Sequence, residues 1–300
     1  MLEKASSCKV NLLLNILGKR ADGFHELETV LHPVNLFDRL TFERAGDMIV
    51  LRCTDPRLPT NSKNLVYRAA SLFLDAANVP ASEGVRIHLQ KQIPLAAGLG
   101  GGSGNAAVTL LAMNELFGHP LPPSKLVELA ASLGSDVPFF LQSKPALATG
   151  RGEAIRALDS FPALEGMHLL LVHPGFGIST PWVYEQLARF PAAWHGRPGR
   201  AEHLISLLQK DLAAAAPEFY NSLEAPVLHK YPLLELFQEF FRDNGALATL
   251  MSGSGSTTFA VTGQEQSAEG LLHKLKAKFG ASIWTSIVKI GAAGPAQAGS

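Results

Sequence analysis

Five glycines in seven residues, "GLGGGSG" at Gly98–Gly104, mark a stretch where bare backbone is needed. Glycines ahead of a helix start let backbone amides approach an anion closely, and the helix end adds a partial positive charge. Phosphate is the natural guest. Two better-known phosphate loops do not fit. No lysine follows within the stretch, as a P-loop requires, and Ser103 occupies the third glycine position of a dinucleotide-binding fingerprint. A bulged turn without a ligand is the alternative reading.

Other polar clusters could join it. In "CKVNLLLNI", strand alternation sends Lys9, Asn11, Leu13 and Asn15 to one face and Val10, Leu12, Leu14 and Ile16 to the other. That polar face is open to two readings, a solvated outer surface or a functional one. "GKRADGFHELET" gathers Arg20, Asp22, His25, Glu26 and Glu28 around an Asp-Gly turn, the pattern of a hairpin tip. In "LGSDVPFFLQ", Asp136 precedes Pro138 and two phenylalanines. It fits a helix N-cap, or a carboxylate acting as general base beside an apolar segment. "LMSGSGSTTFAV" sets Gly253 and Gly255 between two strand-like runs.

The elements that must hold these groups alternate between two periods. "VRIHLQ" (85–90) alternates as a half-buried strand and precedes the glycine loop; "NAAVTLLAMNELFG", ending at Gly118, has helix composition and follows it. Strands are also expected at 9–17, 48–53, 248–251 and 257–261 and in "HLLLVHP" (168–174), with helices at 63–77, 124–133, near 203–215 and at 233–243. "TGRGEAIRALDSFP" (149–162) reads as a boundary, and "RFPAAWHGRPGR" (189–200) as a long excursion. The mixture predicts an α+β protein, divided at 1–155 and 156–292 with a flexible tail at 293–300.

Composition excludes several classes. The 300 residues are 47% hydrophobic and 17% charged, which suits a globular chain of two ordinary domains. Lys plus Arg and Asp plus Glu both total 26, so no global field favours nucleic acid or acidic membranes. Cys8 and Cys53 give neither a disulfide framework nor paired metal-ligand spacing, and no metal site is expected from protein side chains. No signal or transit peptide and no apolar run of spanning length is visible, so a soluble, cytoplasmic setting is expected.

Together, the K-x-N strand, "PLAAGLGGGSGNAA" and "MSGSGSTTFA" resemble the three motifs of the GHMP kinases, in order, from about Lys9 to Val261. "GKRADGFHELETV", "LGSDVPFFL" and "TGRGE" are similar to the branch acting on 4-diphosphocytidyl-2-C-methyl-D-erythritol in the methylerythritol phosphate route to isoprenoid precursors. The resemblance implies an N-terminal ATP-binding domain of the ribosomal-protein-like type and a C-terminal ferredoxin-like domain, with the active site between them. It implies ATP and Mg2+, a small-molecule acceptor, and a monomer or weak homodimer. By position it makes Lys9 and Asp136 the catalytic pair. It assigns Pro94, Gly98, Gly100, Gly101, Gly102, Ser103 and Gly104 to the ATP phosphates, and Asn64, Leu65 and Lys91 to adenine. Phe24, His25 and Tyr184 would sandwich and read cytosine, and Asn11, Thr180 and Pro181 would line the substrate site.

Those roles agree with the physics of phosphoryl transfer, which asks for an immobilised triphosphate and an in-line hydroxyl rather than covalent chemistry. Asp136 would take the hydroxyl proton while Lys9 offsets charge on the transferring group, and Ser103 is available to magnesium or a phosphate oxygen. Four positions depart from the family's usual pattern: Cys8 for alanine, Phe24 for tyrosine, Gly104 for a second serine and Ser222 for aspartate. Two rivals are weaker. A kinase for homoserine or mevalonate has no use for the "DGFHEL" turn, and a nucleotide-binding regulator has none for the catalytic pair.

Overall fold

The structure, a computed structural model, describes residues 1–290, so the tail expected at 293–300 lies outside the described residues. Two compact units interleave along the chain. The first gathers residues 1–8, 36–94 and 100–143; the second gathers 9–35, 95–99 and the described chain from 144 to 290. This partition differs from a division after residue 155 because two long strands, β1 (Leu2–Lys19) and β2 (His25–Arg44), contribute to both units. Strand β2 was not among the expected elements. Its Val30, Leu31 and His32 are buried in succession and Pro33 interrupts the run, so it lacks the alternation of a one-faced strand.

In the first unit, β3 (Ile49–Cys53) follows β2, and helix α1 (Leu65–Ala76) begins where the Asn64 side chain accepts from Val66 N at 2.9 Å. Strand β4 (Val85–Gln90) buries Val85, Ile87 and Leu89 as its alternation predicts. It pairs antiparallel with Arg39–Arg44 of β2 and parallel with β3. Helix α2 spans Gly101–Leu116, and α3 spans Pro123–Leu133 with its proline in the first turn. The expected start of α2 at Asn105 is therefore corrected. Glycine propensity argues against helix at 101–104, but close packing along that turn overrides it.

The second unit continues with β5 (Ala146–Gly150), which pairs with Leu27–Leu31 of β2 and with β6 (Ala154–Ala157), so the expected boundary at 149–162 holds a hairpin. There follow β7 (His168–His173), α4 (Thr180–Leu187), α5 (Pro191–Trp194), α6 (Arg200–Leu208), α7 (Leu212–Ala215) and β8 (Tyr220–Asn221). The single helix expected near 203–215 is broken, because Asp211 caps α7 through the amides of Ala213 and Ala214. Strand β8 runs parallel to Leu13–Leu14 of β1. The chain ends its described part with α8 (Glu224–Lys230), α9 (Pro232–Asp243), β9 (Ala248–Met251), β10 (Thr258–Thr262), α10 (Glu265–Phe279) and β11 (Trp284–Lys289).

Four of these strands form an antiparallel sheet in the order β11-β7-β10-β9, the fourth-first-third-second arrangement of a ferredoxin-like unit. Helix α9 covers it with Leu234, Phe237, Phe240 and Phe241, spaced for one helical face, each worth about 1.5–3 kcal/mol on burial. Among the described residues no helix is long and apolar enough to cross a membrane.

Next to this core sits a buried carboxyl. Glu224 Oε1 accepts from Gln238 Nε2 at 2.5 Å and from Met251 N at 2.8 Å, while burial raises its pKa to about 7. The folded pKa lies above the ordinary 4.5, so stability should fall as pH rises from 4.5 to 7, by roughly 3 kcal/mol in all. Urea denaturation across that range should show the decline in the parent, and Glu224→Gln, which keeps the acceptor and cannot ionise, should remove it.

Candidate active site

Lys9 is only 3% exposed, and its ammonium donates to Asn11 Oδ1 at 2.6 Å and to the Gly98 carbonyl at 2.8 Å. Asn11 is fixed in turn, since its Nδ2 donates to Thr29 Oγ1 at 2.9 Å and the Thr29 hydroxyl donates to Leu13 O at 2.5 Å. The polar face of β1 is thus no solvated surface. It is a buried polar row that holds a cation at a set position, with the Lys9, Asn11 and Thr29 links paired while Asn15 Oδ1 is buried without a hydrogen-bond partner.

The first glycine loop meets this lysine through its backbone. Lys9 N donates to Leu99 O at 2.9 Å, and Gly98 O also accepts from Ser252 Oγ at 3.0 Å. Gly98 has φ +76°, and a Cβ there would collide with the Ser252 carbonyl, so only glycine fits. The second glycine loop closes on the same point. A Cβ on Gly253 would lie 3.1 Å from Lys9 Nζ and 3.0 Å from Gly98 O. Ser254 Oγ is 2.7 Å from Thr180 Oγ1 at the start of α4, where Pro181 follows. The structure therefore brings together Lys9, Asn11, Gly98 and Gly253, and joins Thr180 to the loop carrying Gly253. Thr29 and Ser252 were missed, because an isolated threonine or serine carries no local signal.

A second group within the same unit is aromatic. The His25 ring lies 4.9 Å from Tyr184 and meets Trp194 edge-on at 5.0 Å. Its Nε2 is buried without a hydrogen-bond partner, and burial, helped by the charge of Lys19, lowers its pKa below 6.5. A neutral imidazole with an unspent nitrogen is thereby held between two rings. Phe24, 52% exposed at the hairpin tip, lies under the Arg151 guanidinium at 4.7 Å. Trp194, absent from the sequence-based set, comes from the long excursion, which folds into α5.

That excursion is pinned by the remaining polar residue of the β1 face. Asn15 Nδ2 donates to Glu28 Oε1 at 2.9 Å and to Arg197 O at 2.8 Å, and Glu28 accepts from the amides of Gly199 and Ala201, each at 3.1 Å. Residues 189–193 and 195–200 line a cavity of about 1020 Å³ that none of the sequence-predicted site residues borders. Ser222 is equally architectural. Its Oγ accepts from Ile16 N at 3.0 Å, a role that an aspartate there could also fill.

In the first unit, Gly100 opens α2 at φ +69° with no side-chain cap, so Gly101, Gly102 and Ser103 form a first turn whose amides have no side-chain acceptor there. A Cβ on Gly101 would lie 3.4 Å from Lys91 Nζ, and one on Gly102 3.7 Å from Leu65, so two of the expected adenine residues do border the loop. Lys91 is ion-paired with buried Asp38, which also accepts from Gln92 N and Ile93 N. The Asn64 side chain is engaged in capping α1 and donates to Pro59 O. At Gly104 a Cβ would sit 2.7 Å from Ser7 O and 2.9 Å from Ser6 Oγ, which accounts for glycine where a serine was usual. Asp136 immediately precedes Val137, which takes the cap position of the 3-10 turn Pro138–Leu141 with no side-chain bond, so Asp136 is not its N-cap.

Comparison with known proteins accords with this arrangement. Residues 64–144 match the family of GHMP kinases N terminal domain, and residues 201–281 that of GHMP kinases C terminal. The chain is 42% identical over 259 residues to the 4-diphosphocytidyl-2-C-methyl-D-erythritol kinase of Synechococcus sp. (strain JA-3-3Ab), covering 84% of this chain and 82% of that protein. It is 40% identical over 275 residues to the protein of that name from Syntrophus aciditrophicus (strain SB), covering 90% and 92%. A crystal structure of 4-(cytidine 5'-diphospho)-2C-methyl-D-erythritol kinase superposes with a TM-score of 0.76 at 36% identity over 97% of this chain and all of that one. The homoserine kinase of Cytophaga hutchinsonii shares the fold at 20% identity, with a TM-score of 0.70 over 95% of this chain and 96% of that one. The chain belongs to the 4-diphosphocytidyl-2-C-methyl-D-erythritol kinase family of GHMP kinases.

Proposed function

We propose that this protein transfers the γ-phosphoryl group of ATP to the 2-hydroxyl of 4-diphosphocytidyl-2-C-methyl-D-erythritol, with Asp136 as general base and Lys9 as the cation facing the transferring group. The observation that carries this reading is the Lys9 ammonium, buried and held by Asn11 and Gly98 O beside the second glycine loop. A cation fixed in a place of low dielectric stabilises developing phosphoryl charge without reorganising. Asp136 accepts the hydroxyl proton as the oxygen attacks, and the uncapped first turn of α2 binds the phosphates through its amides.

Magnesium, a hard cation that keeps oxygen ligands and travels with nucleotide phosphates, would supply charge neutralisation on the nucleotide phosphates. Ser103 Oγ, in the first turn of α2, is available to it or to a phosphate oxygen.

The cytidine end has its own reader. Tyr184 and Phe24 offer ring faces, and the unpartnered Nε2 of His25 suits the hydrogen-bonding edge of a neutral pyrimidine. Trp194 holds the imidazole from the side. Homoserine or mevalonate would leave this group without a partner, which disfavours a smaller acceptor.

ADP release with ATP and magnesium should therefore require the cytidine compound and be absent with homoserine or mevalonate; release with mevalonate alone would overturn the assignment. Asp136→Asn should bind ATP normally and lose about 100-fold or more in kcat, as measured by single-turnover transfer. Phe24→Ala should raise KM for the cytidine substrate by about tenfold, equivalent to roughly 1.4 kcal/mol, and leave KM for ATP unchanged. Substrate affinity in the parent should stay level down to pH 6.5 and weaken below it, as His25 takes up a proton.

A further inference from the structure

The segment Asn221–Glu224 belongs to neither group of the site, yet it ties the two parts of the lysine constellation together. Asn221 is 2% exposed, and its Nδ2 donates to Met251 O and Gly253 O, both at 2.8 Å, while its Oδ1 accepts from Leu223 N at 2.9 Å. All three bonds run to backbone, so the carboxamide cannot turn without stranding buried polar groups. Ser222 N donates to Leu14 O at 2.8 Å and its Oγ accepts from Ile16 N, which fastens the same segment to β1. Glu224 adds its bond to Met251 N. One end of this brace grips the strand carrying Lys9 and Asn11, and the other grips the residues that lead into the second glycine loop.

Spacing at the ammonium depends on that brace. Gly253 has φ +57°, and the room above it is bounded by Lys9 Nζ and Gly98 O, with Asn11 Oδ1 3.5 Å from a Cβ placed there. Within the brace, Asn221 gives the hydrogen bond to Gly253, while Ser222 and Glu224 bond to Ile16 N and Met251 N.

We propose that Asn221 is a positioning residue for phosphoryl transfer: by fixing the Met251 and Gly253 carbonyls it holds the second glycine loop at the distance from Lys9 that the transfer requires. The inference rests on the kinase reading above. Asn221 belongs to neither the nucleotide nor the acceptor residues of that reading, and its effect falls on the rate of transfer rather than on recognition of cytosine, which is the work of Phe24, His25 and Tyr184.

Asn221→Ala removes both donors, and Asn221→Asp keeps the shape and the Leu223 bond but turns an oxygen toward two carbonyls. Both should lower kcat by about tenfold or more per folded enzyme, with the dissociation constant for the cytidine substrate, measured without ATP, within about twofold of the parent. A kcat within about twofold of the parent, or a loss that vanishes once rates are scaled to folded protein, would overturn the inference. If neither variant folds, Gly253→Ala tests the same spacing with the Asn221 bonds in place. It should show the same fall in kcat at unchanged substrate affinity, and normal transfer by it would contradict the proposal. A parent protein that fails to transfer would refute the kinase reading; an active parent with unaffected variants would refute the role of Asn221 alone.

Discussion

The Lys9 ammonium, withdrawn from water in the middle of β1, must find oxygen acceptors or give up its charge. It finds the Asn11 carboxamide and the Gly98 carbonyl, and each of these then needs support of its own. Asn11 leans on Thr29, and Thr29 on Leu13 O. Gly98 must turn its carbonyl inward at positive φ, in a space that the Ser252 carbonyl denies to any Cβ. The two glycine loops are bare where three backbones and one cation crowd together.

Buried polar groups in this molecule do two different kinds of work. Asn15 and Glu28 lie close to the site in sequence but spend their hydrogen-bonding capacity on the excursion that delivers Trp194 to His25. In the first unit, Asp38 holds Lys91 and two amides just ahead of the glycine loop. The exceptions to full pairing are informative, because a buried unpartnered nitrogen costs stability unless a ligand meets it. His25 Nε2 is such an atom, in a ring held by Tyr184 and Trp194.

Much of this was legible in the residues. The alternation of Val85, Ile87 and Leu89 found β4, and the run after Gly104 found the body of α2. Glycine spacing identified both loops, and order along the chain identified the family. What escaped was carried by tertiary contact. The first turn of α2 is made of residues with poor helix propensity, and β2, buried in succession and interrupted by Pro33, has no clean period. Thr29, Ser252 and Asn221 are single polar residues that donate to carbonyls 16 to 154 positions away, with nothing local to distinguish them. The polar face of β1 could be read as surface or site from sequence alone, and burial excluded the surface: Lys9 and Asn11 meet the first glycine loop, and Asn15 fastens the excursion.

Catalysis in this account depends on a charge held in place before substrate arrives, so removing that charge is the most direct test. Single-turnover transfer by Lys9→Met, with ATP affinity measured separately, should fall by about 100-fold or more while nucleotide binding changes by only a few fold. Transfer at the parental rate would contradict the account, because it would leave the buried ammonium with a purely structural task.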